Sequence, residues 1–520
     1  MQLLGRSFIG FSRSTGTQPC AQAVNPATGE TLSPQYVGAT AAEVDKALAL
    51  AAAAFPAYCD LTGKRRAGFL RAIAANIEAA VEDIAARGPQ ETGLPEARMR
   101  GETARTTGQL RMFAALLEEG SWVDARIERA IPDRAPVPKP DLRSMLRPLG
   151  PVAVFCASNF PLAFSVAGGD SAAALAAGCP VIVIAHASHP GVAEIVASAV
   201  TMAAQETGMP EGVFSLLYGG GRTVGQAVAG HPAIQAVGFT GSRAAGLALM
   251  ATAAARPQPI PVYAEMSSVN PLVILPGALD RGEAALAEAY YASLTLGVGQ
   301  FCTNPGLVFM PDDQGGGFLE RLAELIAAGS PGTMLNASIR QAYADATRGF
   351  ESVPGVKVLA RCNATPGHGQ GAPLAFTVAI ADFVKSHALQ GEMFGPAALI
   401  VRGSLTEIKQ AVTGLEGQLT ASIFGTEDEL AAHADLAQLL QQRAGRLIFN
   451  GFPTGVEVCS SMVHGGPFPA TSDGRSTSVG TMAIHRFCRP VAWQGFPQSG
   501  LPAELRDDNP LGIRRMENGV

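Results

Sequence analysis

A chain of 520 residues exceeds what one hydrophobic core organises, so two or more domains are expected, and 47% hydrophobic residues supply material for them. The net charge of -6, without a basic run or an aromatic-plus-basic patch, speaks against nucleic acid, and no apolar run is long enough for a membrane span. The 8 cysteines are scattered with no C-x-x-C pair, and the amino terminus lacks a signal peptide's apolar core. Reduced thiols in a cytoplasm are expected, with neither a zinc site nor a disulfide framework.

In chain order, Asn25-Pro-Ala-Thr-Gly-Glu30 reads as a turn between two short extended segments. Alanine-rich periodicity from Thr40 to about Gly88 predicts helices that coat a sheet, with a glycine stop at Gly93. A further helix, about Glu96 to Leu117, carries Arg98, Arg100, Arg105 and Arg111, whose plain reading is a solvated face. The proline-rich stretch Ile131 to Pro140 marks a linker, and Arg143 to Pro148 a short strand.

The run from Gly150 to Pro161 is an apolar strand ending in a polar turn at Asn159, and ligands gather at such strand ends in open parallel sheets. Taken alone, Asn159 serves the turn. Ala163 to Ala177 predicts a small-residue helix, and Gly178 to Ile184 the next strand. Around Gly241 and Ser242 a strand turns into a helix start, whose N–H groups suit a pyrophosphate. Glu265 ends another apolar strand, where a carboxylate is costly unless it faces a cleft or a donor.

Residues 297–306 place Cys302 in a glycine-rich loop, where Gly297 and Gly299 let the backbone approach a substrate and exposed N–H groups favour a thiolate. A core cysteine is the plainer reading of the thiol by itself. Helices at about Gly317 to Ala328 and Ser338 to Gly349 alternate with strands in a second α/β unit. Ile484 to Ala492 reads as a strand, and the tail to Val520 as solvated.

Set in order, the turn at 25–30, Asn159-Phe-Pro161, Phe239-Thr-Gly-Ser242, Glu265 with Asn270-Pro271, the Cys302 loop and Glu392-Met-Phe-Gly-Pro396 resemble aldehyde dehydrogenases over about residues 3–500. The resemblance implies an α/β fold with a Rossmann-like cofactor domain (1–135 and 151–264) and an α/β catalytic domain (265–478). Bridging strands in 136–150 and 479–500 would form a small oligomerisation element of a homodimer or homotetramer, leaving 501–520 as a tail. Cys302 would be the nucleophile, Asn159 and the Cys302 N–H the oxyanion donors, and Glu265 the base. Glu392 and Phe394 would hold the nicotinamide ribose and ring, with Phe155, Ser158, Gly241 and Ser242 completing the cofactor site. Phe160, Phe164, Gln300, Phe452, Gly455 and the loop around His464 would line the aldehyde entrance, and Arg105 would meet a substrate carboxylate.

Two departures from the family pattern bear on the cofactor. Ile184 stands where most members have a lysine, and Ala187 where NAD-using members have a glutamate. Arg222, with His186 or His189 nearby, stands where a 2'-phosphate could be clamped, so NADP is favoured and NAD is possible. The motifs at 445–457 and 462–470 resemble the NADP-linked subgroup acting on 2,5-dioxopentanoate, with a medium or long aliphatic aldehyde as the alternative. A cysteine hydrolase or acyltransferase would need a histidine presented to Cys302, and none of the 8 histidines falls in a recognisable partner motif. Ile184 is the one feature that favours a non-catalytic scaffold.

Overall fold

The computed structural model describes residues 1–520. Its first sheet has seven strands in the order Val262–Glu265, Ala236–Thr240, Val152–Phe155, Val181–Ile184, Phe214–Leu217, Phe8–Ile9 and Ser12–Arg13. The first five are parallel. Val152–Phe155, Val181–Ile184 and Phe214–Leu217 are buried along their whole length, as expected for strands covered on both faces. Being parallel, the strands bring the Asn159 turn, Gly241 and Glu265 to one edge of the sheet.

A second seven-stranded sheet runs Lys357–Arg361, Leu374–Ala379, Ala397–Arg402, Leu307–Met310, Leu272–Ile274, Gln418–Phe424 and Ala444–Phe449. Only Lys357–Arg361 is antiparallel to its neighbour. A third sheet pairs Cys488–Gln494 with Leu142–Pro148, then Arg126–Glu128 and Met516–Glu517, and Cys488–Gln494 forms its open edge. The fold is thus α/β with parallel sheets, as expected, and no helix is long and apolar enough to cross a membrane.

The predicted helices at 40–88 resolve into Ala41–Cys59, Gly63–Ala79 and Val81–Thr92. Thr40 and Glu43 form a reciprocal capping box at the first, and Gly93 ends the third at φ 68°. The helix expected over Ala163 to Ala177 begins only at Gly169. The preceding residues form turns instead, held because the buried Glu102 carboxylate accepts from the N–H groups of Leu162 (3.2 Å) and Ala163 (3.4 Å).

The arginines of Glu96–Glu119 are engaged more specifically than a solvated face requires. Arg98 pairs with Glu102, Arg100 with Glu82 and Glu96, and Arg111 with Glu78, while Arg105 meets no carboxylate. The tail is likewise anchored rather than solvated. Leu501, Leu505 and Ile513 are buried, Asp507 accepts from Arg143 at 2.7 Å, and Met516–Glu517 adds a strand beside Arg126–Glu128.

One buried ion pair joins the third sheet's segment to the first sheet. Arg486 donates to Asp170 at 2.5 Å, with both side chains at least nine-tenths buried. Asp170 sits in the first turn of Gly169–Ala177, where the helix dipole favours an anion. It also lies against Gly238, where an added Cβ would fall 2.7 Å from the carboxylate. Removing one partner strands the other charge, so Arg486→Met is expected to destabilise the fold by roughly 3–5 kcal/mol. A thermal midpoint no lower than that of an Arg475→Met surface control would contradict this.

Candidate active site

Cys302 follows a loop whose backbone is unusual at three successive residues: Gly297, Val298 and Gly299 all have φ between 57° and 66°. The glycines serve close approach within the protein. A Cβ on Gly299 would fall 2.3 Å from the Gly395 carbonyl, and one on Gly297 would meet the Phe301 ring at 2.6 Å. Asn304 donates to the same Gly395 carbonyl at 3.2 Å. The Cys302 loop is therefore seated on the Glu392–Pro396 segment. One cleft is lined by Ser268, Gly299, Phe301, Glu392 and Phe394 together.

Asn270, itself at φ 49°, fixes the loop from beneath. Its fully buried amide donates to the carbonyls of Cys302 and Asn304, each at 2.9 Å, while its oxygen accepts from Thr420 at 2.9 Å. Asn159 reaches the loop from the first sheet, donating one amide hydrogen to the Gln300 carbonyl at 3.0 Å and keeping the other. The Cys302 peptide N–H lies within reach of its own sulfur. Two donors thus flank the thiol.

Glu265 is held from two sides. Glu265 Oε1 lies 3.0 Å from His464 Nε2, and its Oε2 accepts from Ser478 at 2.9 Å. His464 Nε2 is also 3.5 Å from Cys302 Sγ. A histidine is therefore presented to the cysteine, contrary to the sequence expectation. His464 is fully buried rather than an entrance residue, and it arrives because residues 470–472 hydrogen-bond along the free edge of Val262–Glu265. Only its setting in Met462-Val-His-Gly-Gly-Pro could have drawn attention to it.

Burial, and then the facing Glu265 carboxylate, push the Cys302 thiol well above its usual range. The resting sulfur is protonated, which reverses the expectation of a ready thiolate. Burial also works to raise Glu265, but the facing His464 ring and hydrogen bonds from His464, Ser478 and Cys302 leave it below the ordinary carboxylate range. Glu265 is thus ionised beside a thiol proton.

The aromatic wall next to the thiol consists of Phe160, Phe164 and Phe301, with Phe160 at 5.3 and 5.4 Å from the other two ring centroids. Phe164 also packs 6.0 Å from the His464 ring. Two other expected lining residues are elsewhere. Gln300 braces the loop, accepting from Leu335 N at 3.0 Å and donating to Gly297 O at 3.2 Å, and Phe452 packs on Phe424 at 4.7 Å. Gly455 belongs to a loop held by two arginines: Arg105 donates to the Val456 carbonyl, and Arg446 to those of Gly455 (3.0 Å) and Pro453 (2.7 Å).

At the first sheet's edge, Ser242 caps helix Arg243–Ala254 by accepting from Ala245 N, and Gly241 donates to the Glu265 carbonyl at 3.0 Å. Phe155 and Ile184 pack in the core beneath this edge, and Ser158 lies in the turn before Asn159. A Cβ on Gly225 would meet Phe155 at 2.9 Å, which brings the turn bearing Arg222 against the same edge. Arg222 is exposed and has no ion pair, and Ala187 is exposed nearby. Burial, then neighbouring His189, push His186 down to about 3, so its ring is neutral. His189 is buried and bonded to Ala157 O at 2.8 Å, leaving Arg222 as the one cation of the three.

A cysteine thiol, a buried carboxylate and an amide donor converge beside the cleft that holds Glu392 and Phe394, and comparison with known proteins gives this arrangement its family. The sequence profile of the Aldehyde dehydrogenase family matches residues 12–489. The chain belongs to the aldehyde dehydrogenase family. It is 49% identical to alpha-ketoglutaric semialdehyde dehydrogenase 2 of Azospirillum brasilense, covering 100% of this chain and 99% of that protein. It is 44% identical to the alpha-ketoglutaric semialdehyde dehydrogenase of Acinetobacter baylyi, over 99% and 98% of the two chains. Among solved structures, the aldehyde dehydrogenase KauB from Pseudomonas aeruginosa matches with a TM-score of 0.80 at 20% identity, covering 95% of this chain and 97% of that one.

The Asn270 amide is one of three side-chain amides that hold the Cys302 loop, and it alone bonds to the Cys302 carbonyl. Asn270→Ala would strip the Cys302 carbonyl of its donor, at about 1–3 kcal/mol for the group left unsatisfied, and leave the Asn304 carbonyl with the Gly306 N–H alone. We expect a lower thermal midpoint together with a slower reaction of Cys302 with iodoacetamide or a fall in aldehyde turnover. Wild-type stability and turnover in this variant would show that the loop is held elsewhere.

Proposed function

We infer that this aldehyde dehydrogenase oxidises 2,5-dioxopentanoate to 2-oxoglutarate, with NADP preferred over NAD. The observation that carries the substrate class is the pair Arg105 and Arg446. Both are partly buried, both lie within electrostatic reach of Cys302, neither pairs with a carboxylate, and each keeps a buried, unpartnered Nε. Guanidinium groups without a direct carboxylate partner are costly to bury, and a substrate carboxylate would answer them. An aliphatic aldehyde would not. The names of the two full-length relatives agree with this reading.

In the first step Glu265 takes the thiol proton and Cys302 Sγ bonds to the aldehyde carbon. The free amide hydrogen of Asn159 and the Cys302 peptide N–H hold the developing oxyanion, a contribution worth roughly 3 kcal/mol per donor. The nicotinamide, when bound, supplies the hydride acceptor. Glu392 and Phe394 fit its ribose and ring, Gly241 and Ser242 fit the pyrophosphate at a helix start, and Arg222 fits a 2'-phosphate. Glu265 then activates the water that releases the acid from the thioester on Cys302.

His464 does not make this site a cysteine–histidine hydrolase. With Glu265 ionised, Nε2 is committed to donating to the carboxylate, so it cannot also accept the thiol proton. Its role in this reaction is to orient Glu265. Residues 1–135 and 151–264 are assigned to cofactor binding, 265–478 to catalysis, and 136–150 with 479–500 to oligomerisation through the open edge of Cys488–Gln494.

Following the reduced-nicotinamide absorbance, 2,5-dioxopentanoate with NADP is expected to give the highest kcat/KM. Arg105→Met or Arg446→Met should raise KM for that substrate at least tenfold, consistent with loss of a charged hydrogen bond of about 1.5–3 kcal/mol. KM for an aliphatic aldehyde of equal length should stay within about twofold. Equal effects on both substrates would remove the arginines from recognition.

Cofactor affinity should depend on pH through Glu392. Burial pushes this carboxyl up to about 8, the Ser268 N–H works against the rise, and Glu265 adds to it. A carboxylate that accepts ribose hydroxyls must be ionised, so binding expels a proton below pH 8 and affinity grows as pH rises, by up to tenfold per unit. It should level off above that value. A Glu392→Gln variant that kept the same pH slope would place the titration in another group.

A further inference from the structure

Sequence spacing holds no metal motif, yet the fold gathers three metal-ligating atoms around the nucleophile. Cys302 Sγ and His464 Nε2 are 3.5 Å apart, and His464 Nε2 and Glu265 Oε1 are 3.0 Å apart. All three lie within 4.8 Å of one another. A tetrahedral zinc ion with its usual bond lengths to sulfur, nitrogen and oxygen sets its ligands roughly 3.3–3.6 Å apart. The Sγ–Nε2 separation already falls in that range, the Nε2–Oε1 pair would open by about 0.3 Å, and the sulfur and carboxylate lie within 4.8 Å of each other.

The surroundings suit an ion as well. Glu265 keeps its second oxygen on Ser478 at 2.9 Å, and His464 is fixed at both ends of its backbone by Thr477 Oγ1 and Ser478 N, each at 2.8 Å. Such supporting bonds orient ligands at metal sites. His464 Nδ1 is buried and has no partner, so the ring proton can move there as the ion replaces the Nε2–H···Glu265 hydrogen bond and binds the bared Nε2. Cys302 is partly exposed, which gives an ion access and leaves a fourth position for water.

We propose that Cys302, His464 and Glu265 form a reversible inhibitory site for zinc. Binding breaks the S–H bond and releases that proton to solvent. Bonds from sulfur, Nε2 and Oε1 replace three of the ion's waters, and no atom changes oxidation state. A mixed sulfur, nitrogen and oxygen set selects zinc over magnesium or calcium. With its lone pair held by the ion, the sulfur cannot attack a carbonyl. This step rests on the reading of Cys302 as the nucleophile.

The test is titration of the reduced, chelator-treated enzyme with zinc sulfate, without aldehyde or nucleotide, followed by calorimetry and by competition with a chromophoric chelator. We expect one zinc per chain, and cobalt(II) in its place should show a thiolate-to-metal charge-transfer band. Cys302→Ala should abolish that band, and Glu265→Gln or His464→Asn should weaken binding at least about tenfold. Iodoacetamide-treated wild-type enzyme, with its fold unaltered by substitution, should also lose the site. Stoichiometric binding that survives loss of Cys302 by both routes, or no binding at all, would overturn the proposal. Aldehyde turnover of the chelator-treated enzyme is scored separately. Turnover without zinc binding refutes only the metal site, and zinc binding without turnover refutes only the dehydrogenase reading.

Discussion

The contact between Glu265 and His464 is the constraint on which the site depends. Glu265 ends the last parallel strand of the first sheet, and His464 belongs to a segment that follows the second. They lie 199 positions apart in sequence and 3.0 Å apart in space. The contact exists because residues 470–472 cover the free edge of Val262–Glu265, which would otherwise expose unpaired backbone groups. Satisfying that edge delivers an imidazole to the carboxylate, and the carboxylate then faces the thiol in ionised form.

The same economy of backbone contact runs through the nucleophile loop. Gly299 approaches Gly395 too closely for any side chain, so the reactive sulfur and the segment bearing Glu392 and Phe394 are fixed relative to each other without a long hinge. Asn270 donates to two of the loop's carbonyls, and Asn159 to a third. The partly exposed Cys302 faces the Glu265 carboxylate, which together with desolvation holds its thiol above the ordinary range and the resting sulfur protonated.

The arginines around the site differ in their partners. The arginines of Glu96–Glu119 divide into those neutralised by glutamates and Arg105, which is not, and Arg446 joins it from the second sheet. Neutralised arginines hold helices together, whereas these two hold the loop at 453–456 and leave their charge unanswered.

The sequence by itself determined the α/β class, the order of the strands along the chain and the presence of Cys302, Glu265, Asn159 and Glu392 in family motifs. These are local properties, written in hydrophobic runs and short motifs that need no distant partner. Only the tertiary structure decided that His464 meets Cys302, that Gln300 and Phe452 turn into supporting positions, that the tail docks, and that Arg446 joins Arg105. Each depends on sheet pairing or packing between segments far apart in the chain, and such long-range contacts leave no periodicity or spacing to read. The protonation of Cys302 falls in the same class, because burial and a facing charge belong to the fold rather than to the residue.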